Sequence, residues 1–370
     1  MLNINELKKY FSGKKILVTG HTGFKGSYMC VLLKYLGAKT YGYSLKAEKG
    51  GLYELLNKGV KANKKKSLVH DEVFADIRDE KKLTSFVKKV KADYVLHMAA
   101  QPLVLLGYEE PRYTYEVNVM GTVNLMEAIR KVYGAKIGPV SILNVTTDKV
   151  YENNDLSNYA FKENDKLCGR DPYANSKSCS ELVTYAYEKS FFTDKKIFRV
   201  STARAGNVIG GGDLNKDRII PDCYRAIKYK KDMFVRNPMS IRPYQFVLEP
   251  LILYLNILAM QKQNAKYEGH YNIGPDKKDC LTTKELVTRF YEAVDNKVAS
   301  VIYNQVKQKS AKHEAAFLRL DNSLIKKTFK YKEIFGMKDT MKYTAKVYLD
   351  MLNKKNIYNS VLEILEEKER

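Results

Sequence analysis

The sequence predicts an α/β protein: a Rossmann-type doubly wound parallel sheet joined to a smaller α/β substrate-binding unit. Three observations carry that expectation. Short apolar runs alternate with amphipathic helical patterns through the first 150 residues; a glycine triplet links the first run to the first helix; and the regularity fades beyond Gly210-Gly211-Gly212.

Each element has its own justification. Lys15-Ile16-Leu17-Val18-Thr19 is a short, largely apolar run suited to a strand buried on both faces. It stops at Gly20-His21-Thr22-Gly23-Phe24-Lys25-Gly26 and enters a helical pattern (Tyr28, Val31, Leu32, Tyr35, Leu36) that ends at Gly37. Lys39 to Tyr43 reads as the next strand, which completes a βαβ unit. Glycines at this junction let backbone N–H groups approach a pyrophosphate at a helix N-terminus, where the dipole favours negative charge. Further along, Glu72 to Ile77 reads as a strand, Glu80 to Val90 as a helix with Asp79 as a candidate cap, and Tyr94 to Ala100 as a strand breaking into small residues. Asn118 to Val132 reads as a helix and Ser141 to Val145 as another buried strand. A ligand is expected at the C-terminal strand ends of such a sheet. The dinucleotide-binding unit is expected over residues 1–205, with about 242–260 returning to it, and the substrate-binding unit over 206–370. No acid ends the second strand to hold an adenine ribose; Tyr43, Ser44 and Lys46 stand there instead, so NAD and NADP are both open. Asp76 is expected at the adenine.

Composition narrows the classes. At 45% hydrophobic and 29% charged residues the chain is globular, which excludes wholesale disorder. The formal charge of +22 comes from Lys scattered along the whole chain and reads as a solvated surface rather than a nucleic-acid interface. Five Cys without a C-x-x-C pair argue against a disulfide framework or zinc site and for a reducing compartment. No signal-peptide pattern opens the chain. Its greasiest stretch, Leu248 to Met260, contains Glu249, Pro250 and Asn256 and is too short to span a bilayer, so a cytoplasmic protein without a membrane partner is expected. No two His have metal-ligand spacing, and no metal is expected.

The chemistry should follow the strand at Val145. Thr146-Thr147-Asp148-Lys149 stand at its C-terminal end, and Tyr173 and Lys177 share one face of a helix at i and i+4. An ammonium beside a phenol should lower its pKa from about 10 and make a base usable near neutrality. Six Arg fall between 199 and 242 in a chain that otherwise prefers Lys, and the planar guanidinium suits bidentate phosphate recognition. Arg236 and Arg242 lead as pyrophosphate contacts, with Asn207 nearby and Arg218 next; Arg199 and Arg225 read as salt-bridge residues.

Taken together, these residues resemble the extended short-chain dehydrogenase/reductase superfamily, with Thr147, Tyr173 and Lys177 matching its catalytic triad and Asn118 its helix asparagine. Within it, Gly20 to Ser27, Thr147-Asp148-Lys149, Gly206 to Asp213, Asp217 to Asp222 and Arg236-Asn237-Pro238 are similar to the CDP-glucose 4,6-dehydratase family, over about residues 10–350. The family usually places Trp where Leu214 stands and within the Arg242-Pro243-Tyr244-Gln245-Phe246 run; this chain has no Trp. The resemblance implies a nicotinamide cofactor, NAD or NADP, held by Gly20, His21, Thr22, Gly23, Phe24, Lys25 and Gly26. Tyr43, Ser44, Asp76, Ile77, Ala99, Ala100, Gln101, Asn118, Tyr173 and Lys177 would complete that site. It implies a nucleotide-sugar substrate held by Asn207, Arg218, Ile220, Pro221, Arg236, Arg242 and Gln245. It also implies a C5/C6 acid–base couple made by Asp148 and Lys149, with the base left open between the two. For Lys149 to be the base it must be neutral, which the neighbouring Asp148 opposes. His313-Glu314 match the family and are candidates for facing substrate. A homodimer or homotetramer is expected, paired through the helices near 122–132 and 172–186. The alternatives are an epimerase or reductase of the same superfamily and, more remotely, a basic nucleic-acid-binding protein.

Overall fold

The computed structural model describes residues 1–369 apart from 65, 135–138, 155–158, 217, 236, 277–278, 296–299 and 304–316. The first half runs α1 (Ile4–Phe11), β1 (Lys15–Thr19), α2 (Phe24–Tyr35), β2 (Lys39–Ser44), α3 (Leu52–Ala62), β3 (Asp71–Phe74), α4 (Glu80–Val90), β4 (Tyr94–His97), α5 (Val104–Glu109), α6 (Pro111–Tyr115), α7 (Gly121–Val132), β5 (Val140–Thr147), α8 (Pro172–Ser190) and β6 (Phe198–Ala205). The second half adds β7 (Asn207–Ile209), α9 (Ile219–Tyr229), β8 (Met233–Val235), β9 (Ile241–Phe246), α10 (Leu248–Gln263), β10 (His270–Ile273), β11 (Cys280–Thr282), α11 (Thr283–Ala293), β12 (Val301–Tyr303), α12 (Ser323–Phe329), α13 (Met337–Leu352) and α14 (Ile357–Glu369).

Seven strands form one sheet in the order β10-β6-β5-β4-β1-β2-β3, every neighbouring pair parallel. The chain leaves β1 toward β2 and β3, then returns across to β4, β5 and β6. The strand order therefore reverses between β1 and β4, and a crevice opens at their C-terminal ends, where such sheets bind ligands. The central strands are buried from end to end, β5 at all eight positions. Helix starts follow local chemistry: Asn3 and Glu6 form a capping box on α1, Asp79 caps α4 through the N–H of Lys82, and Asp171 caps α8 with Pro172 at its first position.

The chain does not stay in the second unit after residue 206. β9 pairs with β7 and β11 in a separate three-stranded sheet, whereas α10 packs on β5 and β6. β10 closes the edge of the large sheet beside β6. α14 lies against α2 and α3, with Val361, Ile364 and Leu365 in the same core as Val31 and Leu32. Helix α10 is apolar all round because it is covered on every side, and this burial accounts for the greasy stretch in the sequence. No helix among the described residues is long and apolar enough to cross a membrane.

One charge inside this core holds a distant segment. Glu249 in the first turn of α10 is fully buried; its carboxylate accepts from the Tyr331 hydroxyl at 2.8 Å, the Phe335 N–H at 2.7 Å and the Ile334 N–H at 3.1 Å. Removing the acceptor strands three donors, those of Tyr331 and Phe335 buried and that of Ile334 half-buried. Glu249→Ala is expected to lower unfolding stability by about 3 kcal/mol in a denaturant titration, and a loss under about 1 kcal/mol would refute the anchoring role.

Candidate active site

At the crevice, Gly20 takes a left-handed backbone (φ 74°), and a Cβ there would come within 2.7 Å of the Ala99 N, so the β1 turn lies flush on the end of β4. Gly23 opens α2 without a side-chain cap, and no acidic residue stands in the first turn. The helix thus presents its free N–H groups and the positive end of its dipole uncompensated. That cradle fits a pyrophosphate, and with it a dinucleotide cofactor.

The neighbouring side chains divide between crevice and framework. His21 is wholly buried, with Nε2 on Glu72 Oε2 at 2.9 Å, and the Tyr53 hydroxyl donates to the same oxygen at 2.6 Å. Its imidazole is therefore taken up between β2 and β3, and the expected cofactor contact by that ring is corrected to a framework role. Tyr43 is likewise buried, its hydroxyl donating to the Asp76 carbonyl at 3.0 Å. The Asp76 carboxylate, expected at the adenine, is held by Arg78 through Nε at 3.1 Å and Nη2 at 2.8 Å, and this pair keeps it below the usual carboxylate range. Arg78 and Asp76 form part of a shallow pocket of about 480 Å³ with Asp79, Glu116, Met120 and Asn124. Ile77 is buried, and its carbonyl accepts from Asn124. At the end of β2 the Thr22 and Ser44 hydroxyls bond each other at 2.8 Å. β4 ends at His97, short of the expected Ala100, and Ala99 and Ala100, half-buried, and then Gln101 follow it as a loop. Asn118 does not lie in an α-helix: it sits in a π-turn, 116–120, from which its amide accepts from the Gln101 N–H at 2.8 Å and donates to Ser176 Oγ at 2.9 Å. The wide turn aims one side chain at both the β4 loop and α8.

The tip of β5 and the first turns of α8 converge. Thr147 Oγ1 donates to Asp148 Oδ1 at 3.0 Å, and the same hydroxyl acts on the phenol of Tyr173. Tyr173 is partly accessible, yet desolvation pushes it up to about 12, with Thr147 and the charge of Arg218 pulling the other way. Lys177 donates to the Val145 carbonyl at 3.0 Å, and its burial and the charge of Lys25 bring it down to about 8. The expectation that Lys177 lowers the phenol is thus corrected: desolvation outweighs the opposing Thr147 hydroxyl and the charge of Arg218. Asp148 is buried and pushed up by desolvation, opposed by Lys149, Thr147, Arg242 and Lys25; its Oδ2 has no hydrogen-bond partner. Gly206 lies opposite, where a methyl would sit 3.3 Å from that oxygen. Lys25 itself is brought down to about 8 by burial and Arg218, while Asp148 supports its charge.

On the substrate side, Arg242 is buried on β9 with its charge felt at Asp148. Arg218 precedes α9, paired with Asp213 at 2.8 Å, and its charge reaches Tyr173 and Lys25. The structure therefore brings the charges of two of the predicted arginines to Asp148, Tyr173 and Lys25. Asn207 is half-buried on β7, and Gln245 is buried on β9 with both amide atoms unpartnered. Ile220 and Pro221 are buried in α9, Ile220 inside the core of the second unit. Arg236 and His313-Glu314 lie outside the described residues. Sequence reasoning missed Glu181 and Arg204, a buried pair directly behind Lys177; the i+4 spacing of Glu181 from Lys177 was the available signal. Among the described residues no cluster of three or more His, Cys, Asp or Glu could hold a metal ion.

Residues 17–344 match the family described as GDP-mannose 4,6 dehydratase. The CDP-glucose 4,6-dehydratase of Salmonella typhimurium is 38% identical over 90% of each chain. Among solved structures, the dTDP-glucose 4,6-dehydratase of Bacillus anthracis in complex with NAD aligns with a TM-score of 0.72 at 19% identity, covering 94% of this chain and all of that one. The UDP-glucose 4-epimerase of Thermotoga maritima with UDP-glucose aligns with a TM-score of 0.74 at 18% identity, covering 91% and 99%. At those identities the structural matches speak for the fold. With the sheet order, the glycine cradle and the Thr147–Tyr173–Lys177 cluster already in place, the match over most of the sequence means that this chain belongs to the GDP-mannose 4,6-dehydratase family.

Proposed function

We propose that this protein is an NAD-dependent nucleotide-sugar 4,6-dehydratase that converts CDP-glucose to CDP-4-keto-6-deoxyglucose. One observation carries the choice over an epimerase or reductase: directly after Thr147 stands a buried carboxyl, Asp148, raised above the ordinary range, with one oxygen open and Lys149 beside it. Interconversion at C4 needs only a base and a hydride acceptor, whereas loss of water across C5 and C6 needs a further acid and base.

NAD fits the cradle of Gly20, Gly23 and Gly26 at the uncapped start of α2; when bound it supplies the acceptor for hydride from C4 and the donor that returns it to C6. Tyr173 takes the proton from O4, with Thr147 orienting the oxygen and the Lys177 ammonium stabilising the phenolate that results. The 4-ketone acidifies the C5–H bond. Lys149 removes that proton, and Asp148, whose carboxyl burial pushes up, gives a proton to the departing C6 hydroxyl, so that water leaves. Lys149 then returns its proton to C5 as hydride reaches C6, and the proton that Tyr173 took from O4 replaces the one Asp148 gave to water, so that every group is restored. Arg218 and Arg242 supply planar, delocalised charge for the substrate diphosphate, with Asn207 and Gln245 as polar contacts and Arg236 as a further candidate. Replacement of the family's usual Trp by Leu214 and Tyr244 bears on which base and sugar fit. We further propose a homodimer paired through α7 and α8, whose outer surfaces expose Met120 at the π-turn before α7 and Leu182 and Tyr185 on α8, working in the cytoplasm in deoxysugar and lipopolysaccharide synthesis.

Incubation with CDP-glucose and NAD tests the reading: a 4-keto product that absorbs in alkali is expected. Unchanged sugar, or sugar inverted at C4, would refute it. A panel of other nucleoside-diphosphate glucoses and mannoses in the same assay reports the base and the hexose.

A further inference from the structure

Behind the active site the buried polar atoms meet at one node. Glu181 lies one turn beyond Lys177, so Tyr173, Lys177 and Glu181 stand at i, i+4 and i+8 along one face of α8. Its carboxylate meets Arg204 of β6 in a bidentate pair, Nε to Oε1 at 3.0 Å and Nη2 to Oε2 at 3.1 Å, both side chains buried. Thr146 donates to Oε1, and Thr202 donates to Oε2 at 2.6 Å. Arg204 gives Nη1 to the Tyr151 hydroxyl at 2.7 Å and the Glu163 carbonyl at 2.9 Å, and the Tyr151 hydroxyl donates to Asn272 Oδ1 at 2.6 Å. A buried ion pair is weak evidence for stability, because desolvation offsets much of its attraction. Its placement says more. Thr146 and Tyr151 are the two flanks of Thr147-Asp148-Lys149-Val150, and both end on this pair, which α8 holds on the face that carries Tyr173 and Lys177.

We propose that Glu181 and Arg204 are positioning residues: they set the strand tip that carries Thr147, Asp148 and Lys149 against the helix face that carries Tyr173 and Lys177, and Glu181 supplies the negative field at the Lys177 ammonium. The groups facing Lys177 agree with that division. Lys25 of α2 opposes its charge, Glu181 supports it, β5 presents the Val145 carbonyl, and His97 of β4, brought down to about 3 by burial, is neutral. A displaced strand tip should act on the rate of the bound complex rather than on substrate affinity, since misplacement of about 1 Å can lower a rate about 100-fold.

The proposal rests on the dehydratase reading for its turnover assay, so NAD affinity as a function of pH is measured beside it and reports Lys177 whichever sugar is used. Glu181→Gln is the direct variant; Glu181→Gln/Arg204→Met removes both charges and keeps the test open if an unpaired Arg204 prevents folding. Expected in the folded variants are a kcat lowered roughly 10- to 100-fold with KM within about twofold, and alkaline limbs of kcat and NAD affinity moved down by roughly one pH unit. Tyr151→Phe, which frees one flank and leaves Glu181 in place, should lower kcat without moving the alkaline limb. Folded Glu181 variants with wild-type kcat and an unmoved limb, or with a loss equal at every pH, would overturn the proposal, as would a wild-type kcat in Tyr151→Phe.

Discussion

Tyr173→Phe is expected to lose at least about 1,000-fold in kcat, for C4 oxidation and dehydration alike, while NAD still binds. The change removes one hydroxyl and leaves the ring. Thr147 keeps Asp148 as its partner and the Asp171 cap of α8 is untouched, so the fold has no reason to suffer. What disappears is the group aligned to take the O4 proton. A phenol pushed up to about 12 is almost wholly protonated at neutral pH, so the wild-type rate should rise with pH across the neutral range as the phenolate becomes easier to form. It should fall again above about 8, where Lys177 loses the proton that stabilises that phenolate. The resulting bell in kcat/KM is the second readout: in Tyr173→Phe the rising limb should vanish. Stopped-flow absorbance at 340 nm, which reports hydride leaving C4, measures the first step separately from product formation. A variant that keeps more than about one per cent of the wild-type rate would show that another group takes the proton.

How much of this was legible in the sequence depends on how local each signal is. The glycine turn, the strand tip at Thr147 and the Tyr173–Lys177 pair lie within single elements, and a period of two or 3.6 residues is enough to place them. Asp79 as the cap of α4 was legible for the same reason. The side chain of His21 was not, because its partners Glu72 and Tyr53 come from elements that only the parallel register brings beside it. Asp76 reads as an adenine contact, and the position of Arg78 two residues on says nothing about its side chain folding back on that carboxylate. The Glu181–Arg204 pair joins a helix and a strand 23 positions apart, through hydrogen bonds from residues on both strands. The return of β10 to the large sheet was hidden by the shortness of that strand, which carries no periodic signal. Local chemistry thus located the reacting groups, while the field in which they work comes from burial and from charges brought in by topology. Tyr173 illustrates the gap: its neighbour Lys177 suggests a lowered phenol, and only the packed structure shows desolvation winning.

The same distinction sets up the second large effect, which separates the acid from the base at C5 and C6. Lys149→Ala and Asp148→Asn are each expected to lower dehydration by about 100- to 10,000-fold, the usual contribution of a positioned acid or base. They should differ in what still happens. Asp148→Asn is nearly isosteric, replaces a carboxyl already held towards its neutral form, and leaves Lys149 in place. Tyr173 can still open the C4 oxidation, the ketone still acidifies C5, and Lys149 can still take that proton. The C6 hydroxyl then lacks its acid, so the C5 carbanion is reprotonated and hydride returns to C4. In D₂O the recovered CDP-glucose should therefore carry deuterium at C5. Lys149→Ala stops one step earlier: C4 oxidation proceeds, no base meets C5, and recovered sugar should contain no deuterium. Proton NMR of the recovered nucleotide sugar reads both outcomes in one spectrum. Deuterium in the Lys149→Ala sample, together with none in Asp148→Asn, would exchange the two roles and make the buried carboxyl the base, in spite of the desolvation that favours its proton.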